Sequence, residues 1–464
     1  MVVTGHLLTR QNAPTVAVPI GEILTIATEY IAAGRIDAAD RLVGHVLAGH
    51  PRQADALHLR GLIEFRRGRI TDAAVCMEAA AGVGATSAAQ LRNMAEVYRV
   101  LGRLEEAVSV LARAVAREPG EAAGYFNLAM VEYDRMRVPA CEVAVREALR
   151  CNPKLPEAQM KLAQVLLLQG RFTEGWVPYE WRYQIPGAPP LMPPTDRPHW
   201  DGTPLGQDRL LLIADQGYGD VIMFGRLIGW AQARCAHVTV ASSPEMRAIL
   251  TQLAPGAEII TRWEDSRGYA AYCPLSGLPR LSGLTLDQLP GQVGYLATEP
   301  ARVQRWKTRL DAALPEGRRR VALAWSGRPT HNNDRNRSVL LRKLAPLAAR
   351  ADLAFVSLQK GPAARQCADW PGPAPLLDLD ADIESFEDSA AILRNCDLLV
   401  AVDTSLGHLA GAIGIPAWVM LPFAPDWRWL EARETTPWYP SLRLFRQPSP
   451  GDWQSVVARL LSAL

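Results

Sequence analysis

One carboxylate stands at the end of the segment Leu210-Leu-Leu-Ile-Ala-Asp-Gln-Gly-Tyr-Gly-Asp220, where an apolar run gives way to a turn and a helix begins. A carboxylate there is placed to take a proton from a hydroxyl. Capping the new helix is the plainer use of Asp at such a position. Gln216, Gly217 and Gly219 make the turn. The glycines let backbone come close to a ligand, and helix N-terminal amides favour its anionic groups. A dinucleotide fingerprint needs glycine where Ile222 stands, which argues against a dehydrogenase.

Four further segments end strand-like runs. In Leu399–Ala410 a strand delivers Asp403, Thr404 and Ser405 to a helix start, with His408 on the first turn. Hydroxyls and free amides at that point form an anion site; Ser405 as a simple cap and His408 as a packing residue are the plain alternatives. Trp325–Ser338 is dense in donors, including Ser326, Arg335 and Arg337, and guanidinium groups match phosphate oxygens in pairs. A solvated loop is the alternative there. Ser357-Leu-Gln-Lys-Gly361 offers Lys360 as a point charge for phosphate, a weak signal alone. Leu421–Trp429 brings Phe423, Trp427 and Trp429, which either stack on a base or sugar or pack the two halves together.

The elements that position these residues emerge from alternation. Strands are expected over 209–214, 237–241, 258–261, 321–325, 353–358, 397–402 and 417–421, and helices over 221–236, 244–253, 344–350, 388–394 and 406–413. That order predicts parallel sheets with crossover helices. We expect a first α/β lobe at 209–300, a hinge region at 301–318 and a second lobe at 319–464. They form two doubly wound, Rossmann-like lobes across a cleft, with ligands beyond the carboxyl ends of the strands.

The N-terminal third is of another kind. Arg35, Arg69, Arg103, Arg137 and Arg171 recur every 34 residues, four of them after glycine (Gly34, Gly68, Gly102, Gly170) and one after Met136. In phase with them run Ala27, Gly61, Ala95, Ala129 and Ala163, and, twelve residues on, Ala39, Ala73, Ala107, Cys141 and Gly175. Pro51, Pro119 and Pro153 close three units, with Ala85 in the remaining slot. This is the tetratricopeptide signature, predicting helix–turn–helix units stacked into a superhelix over 21–184 that binds a peptide or protein. Residues 1–20, with Arg10 and Pro14, read as a tail, and 185–208, with seven prolines including Pro189, as a semi-rigid linker. Trp176, Trp181 and Trp200 are expected to pack the last repeat against the C-terminal part of the chain.

Composition narrows the class. A net charge of +2 suggests neither nucleic acid nor anionic membrane as a partner. Seven scattered cysteines with no Cys-x-x-Cys pair point away from disulfides and metal, toward the cytoplasm. No run approaches the ~18 apolar residues of an integral membrane segment.

Residues 209–464 resemble the heptosyltransferase-like (family 9) glycosyltransferases, which have the two-lobed GT-B architecture. In that family a Gly-Asp turn of the first lobe carries the base, and an Asp-Thr-Ser/Gly-x-x-His-Leu-Ala segment of the second binds the donor diphosphate. Gly219-Asp220 and Asp403–Ala410 match both in order, and Arg337 lies where the family has a basic residue on phosphate. The fusion to repeats is similar to a bacterial group with Trp-Arg-Trp and Ser-Leu-Gln-Lys-Gly segments, some implicated in protein glycosylation, and to the O-linked N-acetylglucosamine transferases. Two departures are Asp215, where the repeat-fused group has glutamate, and Tyr218, where a Leu or similar apolar residue is usual.

The resemblance implies a tetratricopeptide superhelix followed by a GT-B pair of α/β lobes. It implies inverting, metal-independent transfer from a nucleotide-diphosphate sugar to a hydroxyl, without a cofactor. Asp220 would be the base, and Ser326, Arg337, Lys360, Asp403, Thr404, Ser405 and His408 would hold the donor in the second lobe. Gln216, Gly217 and Gly219 would line the acceptor side, and the repeats would present a protein acceptor. Two alternatives stand beside it: a non-catalytic repeat scaffold with a nucleotide-binding α/β module, and a transferase acting on a cell-surface glycan precursor.

Overall fold

The computed structural model describes residues 2–3, 18–84, 86–188, 190–266, 268–289, 293–331 and 333–464. Arg10, Pro14, Ala85 and Pro189 lie outside them, as does Asn332 of the arginine-rich loop. The chain divides into two compact units, Met1–Ala158 and Gln159–Leu464.

In the first unit, β1 (Val2–Val3) pairs antiparallel with β2 (Val18–Pro19). Four helical hairpins come next: α1 (Ile20–Ala32) with α2 (Ile36–Gly49), α3 (Ala54–Arg66) with α4 (Ile70–Val83), α5 (Ala88–Val100) with α6 (Leu104–Arg117), and α7 (Ala122–Asp134) with α8 (Val138–Cys151). The 34-residue glycine–arginine period is a repeated helix stop. Gly34 N–H donates to Ile31 O and Arg35 N–H to Tyr30 O, and the same two bonds recur at 68–69, 102–103 and 136–137. This is the Schellman pattern, in which the first of the two residues takes the left-handed conformation that a Cβ disfavours. Gly34, Gly68 and Gly102 have φ of +73°, +78° and +76°; Met136 adopts +53°. The small residues are where helices touch: Ala27, Ala39, Ala73, Ala107, Ala129 and Cys141 are fully buried. A Cβ on Gly61 would stand 2.6 Å from Met77 Cγ.

The unit boundary falls within α9 (Pro156–Leu168), which with α10 (Phe172–Tyr179) makes the fifth hairpin. Its turn repeats the pattern, with Gly170 at φ +79° and Arg171 N–H donating to Leu166 O. Residues 159–464 therefore hold most of the last repeat together with two sheets.

The first sheet is β3 (Gly206–Ile213), β4 (Cys235–Ala241), β5 (Glu258–Ile260) and β6 (Tyr269–Pro274), all parallel, in the order β5-β4-β3-β6. The second comprises β7 (Arg319–Ala324), β8 (Leu353–Ser357), β9 (Leu376–Asp378), β10 (Leu398–Val402), β11 (Ala417–Leu421), β12 (Thr435–Thr436) and β13 (Tyr439–Arg446). Its order is β12-β13-β11-β10-β7-β8-β9, parallel except for the β12–β13 pair. Leu210–Leu212, Val321–Leu323 and Leu399–Val402 are wholly enclosed, as strands covered on both faces must be, which is why they read as unbroken apolar runs.

The crossovers are α11 (Tyr218–Gly225), α12 (Ile228–Gln232), α13 (Arg247–Leu253) and α14 (Leu278–Leu281) beside the first sheet. Then come α15 (Pro300–Ala313), α16 (Asp334–Arg337), α17 (Phe386–Leu393), α18 (Ser405–Ile413) and α19 (Trp453–Ala463). The helix expected over 221–236 is two short ones. It breaks where Arg226 Nε turns back to Met223 O at 3.0 Å, and where Gly225 lies against Leu253. The helix expected over 344–350 is a run of 3-10 turns, Leu341–Ala349, because Pro346 inside it has no N–H to give.

Met136→Gly removes a left-handed non-glycine residue and should stabilise the protein by about 1 kcal/mol, whereas Gly102→Ala should cost a similar amount. Thermal unfolding of the two variants reads the signs directly; a midpoint that rises for neither and falls for both contradicts the assignment at Met136.

Candidate functional site

The two sheets meet through the helices that leave β3 and β10. A Cβ added to Gly219, in the first turn of α11, would stand 2.6 Å from His408 Cδ2 and 3.1 Å from its Nε2, so α11 rests directly on the first turn of α18. His408 is 4% exposed. Its Nδ1 lies 3.0 Å from the Tyr439 hydroxyl, and its ring lies against Trp429. Burial, with the Arg428 charge adding to it, depresses its pKa to about 3. His408 is thus a neutral packing ring that fixes α18, and Gly219 is needed for helix contact.

Asp220 is the third residue of α11. Gly217 caps the helix, and its carbonyl accepts the Asp220 N–H at 2.9 Å, so the carboxylate is not used as a cap. Asp220 Oδ1 accepts from Arg428 Nε at 2.7 Å and pairs ionically with Nη2 at 2.5 Å, a nitrogen that also donates to the Tyr179 hydroxyl at 3.5 Å. Among the described residues Oδ2 makes no hydrogen bond. The side chain is 17% exposed. Burial lifts its pKa above the ordinary carboxylate value against the opposing pull of Arg428. Arg428 Nη1 and backbone N–H both donate to Asp426 Oδ1, at 2.6 and 3.0 Å.

The second-sheet loops converge on the start of α18. Arg337, on α16, sends Nη1 to Asp403 O at 3.0 Å. Its Nη2 lies so close over Gly327 that a Cβ there would collide with it. Asp403 is the last residue before the Thr404 N-cap, and its carboxyl is pushed up to about 6 by burial and by Asp426, with Arg337 opposing. Neither Thr404 nor Ser405 caps α18 with its side chain; Thr404 Oγ1 is enclosed without a hydrogen-bond partner. Ser326 is joined to the 357–361 segment by Gln359, whose side chain accepts from the backbone N–H of Trp325 and Ser326 and donates to Ser326 O. Lys360 points elsewhere: its ammonium donates to the carbonyls of Asp380 and Ile383 and pairs with the Asp380 carboxylate. It clamps the turn after β9.

Trp427 and Trp429 are each 1% exposed. Trp427 meets Phe172, Trp176 and Tyr179 of α10 and Trp438 edge-on, with ring centroids 5.5–6.4 Å apart. These rings pack; they offer no stacking face. Trp176 is in the same cluster and donates to Leu284 O, while Trp200 is buried against Trp230.

A cavity of about 410 Å³ opens at the C-terminal ends of β3, β4 and β5, between Ile213–Gln216, Ala241–Ser243 and Ile260–Trp263. Arg182 and Tyr183, from the 3-10 turn after α10, and Leu191 of the linker also line it. Asp215 is saturated there: it accepts from Tyr183, from Ser276 twice and from Gln216. Gln216 is thereby turned to Asp215. Arg182 is 6% exposed, yet its Nε and Nη2, like Ser243 Oγ, are enclosed without hydrogen-bond partners.

The sequence expectations meet here in part. Asp220, Gly219 and His408 come together; Arg337, Asp403, Thr404 and Ser405 form a second cluster, bridged toward Asp220 by Arg428 and Asp426. Arg428 and Gln359 lie in segments that the sequence singles out, but their roles were not readable there, since each acts on partners far along the chain.

Gly219→Ala should cost about 1–3 kcal/mol through overpacking against His408, while Gly217→Ala, whose nearest neighbour would be 3.5 Å away, should be close to neutral; equal effects in thermal unfolding contradict the contact. His408, with a pKa of about 3 in the fold and ~6.5 in the unfolded chain, takes up its proton first in the unfolded state. Its contribution to stability is present above pH ~6.5 and is lost progressively as pH falls toward 3. His408→Gln should flatten that part of the stability–pH curve.

Comparison with known proteins places the repeats. The tetratricopeptide repeat family matches residues 24–86 and 88–131. Protein FlbA of Caulobacter vibrioides is 27% identical over 436 residues, covering 85% of this chain and 70% of its own, a length that runs beyond the repeats into the sheets. PilF of Pseudomonas aeruginosa is 19% identical, covering 37% of this chain and 78% of that one, with a TM-score of 0.34. A tetratricopeptide protein of Thermus thermophilus is 23% identical, with 37% and 93% coverage and a TM-score of 0.32. The N-terminal hairpins are tetratricopeptide repeats, followed by parallel sheets with crossover helices. Among the described residues no helix is long and apolar enough to cross a membrane.

Proposed function

We propose that the two sheets form a GT-B glycosyltransferase that moves a sugar from a nucleotide-diphosphate donor to a hydroxyl of a protein presented by the repeats. One observation carries this reading: a carboxylate with one unbonded oxygen, Asp220, stands beside an arginine-flanked helix start that has an unpartnered hydroxyl, Thr404. The donor diphosphate is assigned to the N-terminus of α18, where free amides, Thr404, Ser405 and Arg337 Nη2 converge. Ser326 sits on the loop that Gln359 ties beside it.

In a single displacement, Asp220 Oδ2 takes the proton of the acceptor hydroxyl as its oxygen forms a bond to the anomeric carbon. The bond from that carbon to the diphosphate breaks, and its electron pair leaves on the phosphate oxygen. Arg337 and the α18 amides stabilise the developing charge. The cavity over β3–β5, four residues along the chain from Asp220, is the natural seat for the acceptor segment. Lys360, already engaged by the 380–383 turn, is given no part in transfer.

Thermal unfolding against a panel of nucleoside diphosphates and nucleotide sugars tests the donor site. One nucleotide should stand out, stabilising by about 2.7 kcal/mol at a hundred times its Kd, and Arg337→Gln should weaken it at least tenfold. No stabilisation by any nucleotide at millimolar concentration favours the scaffold. A chain beginning at Asn152, which keeps the fifth hairpin, should hydrolyse donor yet lose transfer to protein; retained protein transfer contradicts acceptor presentation by the repeats.

A further inference from the structure

We infer that Arg428 is the positioning residue for Asp220, holding one carboxylate oxygen so that the other alone receives the acceptor's proton. The inference rests on the proposed transfer reaction and deepens it. Both Arg428 contacts, from Nε and Nη2, go to Oδ1. That leaves Oδ2 as the oxygen with open lone pairs. The Nε hydrogen bond and the close approach of Nη2 both hold that one oxygen.

Arg428 is itself held. Asp426 Oδ1 accepts from its Nη1 and its backbone N–H. The guanidinium lies 4.4 Å over the Trp427 ring, and that ring is wedged among Phe172, Trp176 and Tyr179. The side chain is 12% exposed. A planar fork gripped at three nitrogens has one orientation to offer, and lysine has no such fork.

The charged and titratable groups around Asp220 come from four elements. Arg428 and Asp426 lie after β11, Asp215 at the end of β3, and Tyr179 on α10. His408 of α18, beneath Gly219, is neutral. Arg428 is the cation that favours ionised Asp220, while burial and the two other carboxylates oppose it. Removing the guanidinium leaves those opposing effects unbalanced, and an adjacent arginine typically shifts an Asp by about one to three units.

The test is the pH–rate profile of sugar transfer by the full chain, using the nucleotide sugar that stabilises it most, for wild type, Arg428→Gln and Arg428→Lys. In Arg428→Gln the acidic limb should move up by at least about one pH unit, with turnover near pH 7 falling at least tenfold and partly returning at high pH. Arg428→Lys keeps the charge and loses the fork, so its limb should stay near that of wild type while kcat falls severalfold. Donor KM should change little in either. A folded Arg428→Gln enzyme whose limb has not moved overturns the inference and leaves the transfer reading intact. If Arg428→Gln does not fold, Arg428→Lys with unchanged kcat overturns it equally. A wild type with no turnover at any pH instead brings down the transfer reading, and this inference with it.

Discussion

The arrangement depends on one missing Cβ. Gly219 allows the first turn of α11 to lie on the ring of His408, which a Cβ there would press out of place. That contact brings the helix leaving one sheet against the helix leaving the other, and so brings Asp220 within hydrogen-bond reach of Arg428, 208 residues later. One turn further along, α18 is fitted in the same way: a Cβ on Gly411 would collide with the ring of Tyr439, the residue whose hydroxyl holds His408. Glycine inside a helix costs about 1 kcal/mol relative to alanine. Here that cost is offset by the close packing of Gly411 on Tyr439.

A second constraint binds the end of the repeats to the sheets. In the fifth hairpin the small-residue pattern persists at Ala163 and Gly175, while Phe172, Trp176 and Tyr179 stand where the first unit carries Ile36, Asp40 and Val43. Their rings meet Trp427 and Trp438 from the second sheet and Phe224 from α11. Arg428 projects from the middle of that cluster. The same aromatic packing that ends the superhelix therefore also fixes the arginine on Asp220, linking repeat architecture to the geometry of the site.

Much of this was legible because it is local. The glycine–arginine period specifies a six-residue helix stop, and Met136 marks the unit where a side chain tolerates the same backbone. Buried parallel strands announce themselves as apolar runs, so β3, β7, β8, β10 and β11 stand close to their expected places. Strands without such a run do not: β6 carries Ala270 and Ala271, β9 has three residues, and β13 interleaves Pro440 and Arg443 with its apolar positions. The candidate residues Asp220, Arg337 and Asp403–Ser405 were legible because each lies in a segment that follows a strand. The role of Arg428, inside the Trp-Arg-Trp segment, is not legible there because its partner is fixed only by tertiary packing. Lys360 shows the converse. A lysine after a strand suggests phosphate, yet the nearby carbonyls of Asp380 and Ile383 satisfy it first.

The proposed transfer reaction stands or falls on Asp220 as the group that takes the acceptor's proton. The direct measurement compares wild type with Asp220→Asn, reading nucleotide binding by calorimetry and sugar transfer by mass spectrometry of the acceptor protein. We predict binding within about twofold of wild type and transfer reduced at least a hundredfold, the scale of a lost general base. An Asp220→Asn enzyme that binds its nucleotide and transfers sugar at the wild-type rate would contradict that role.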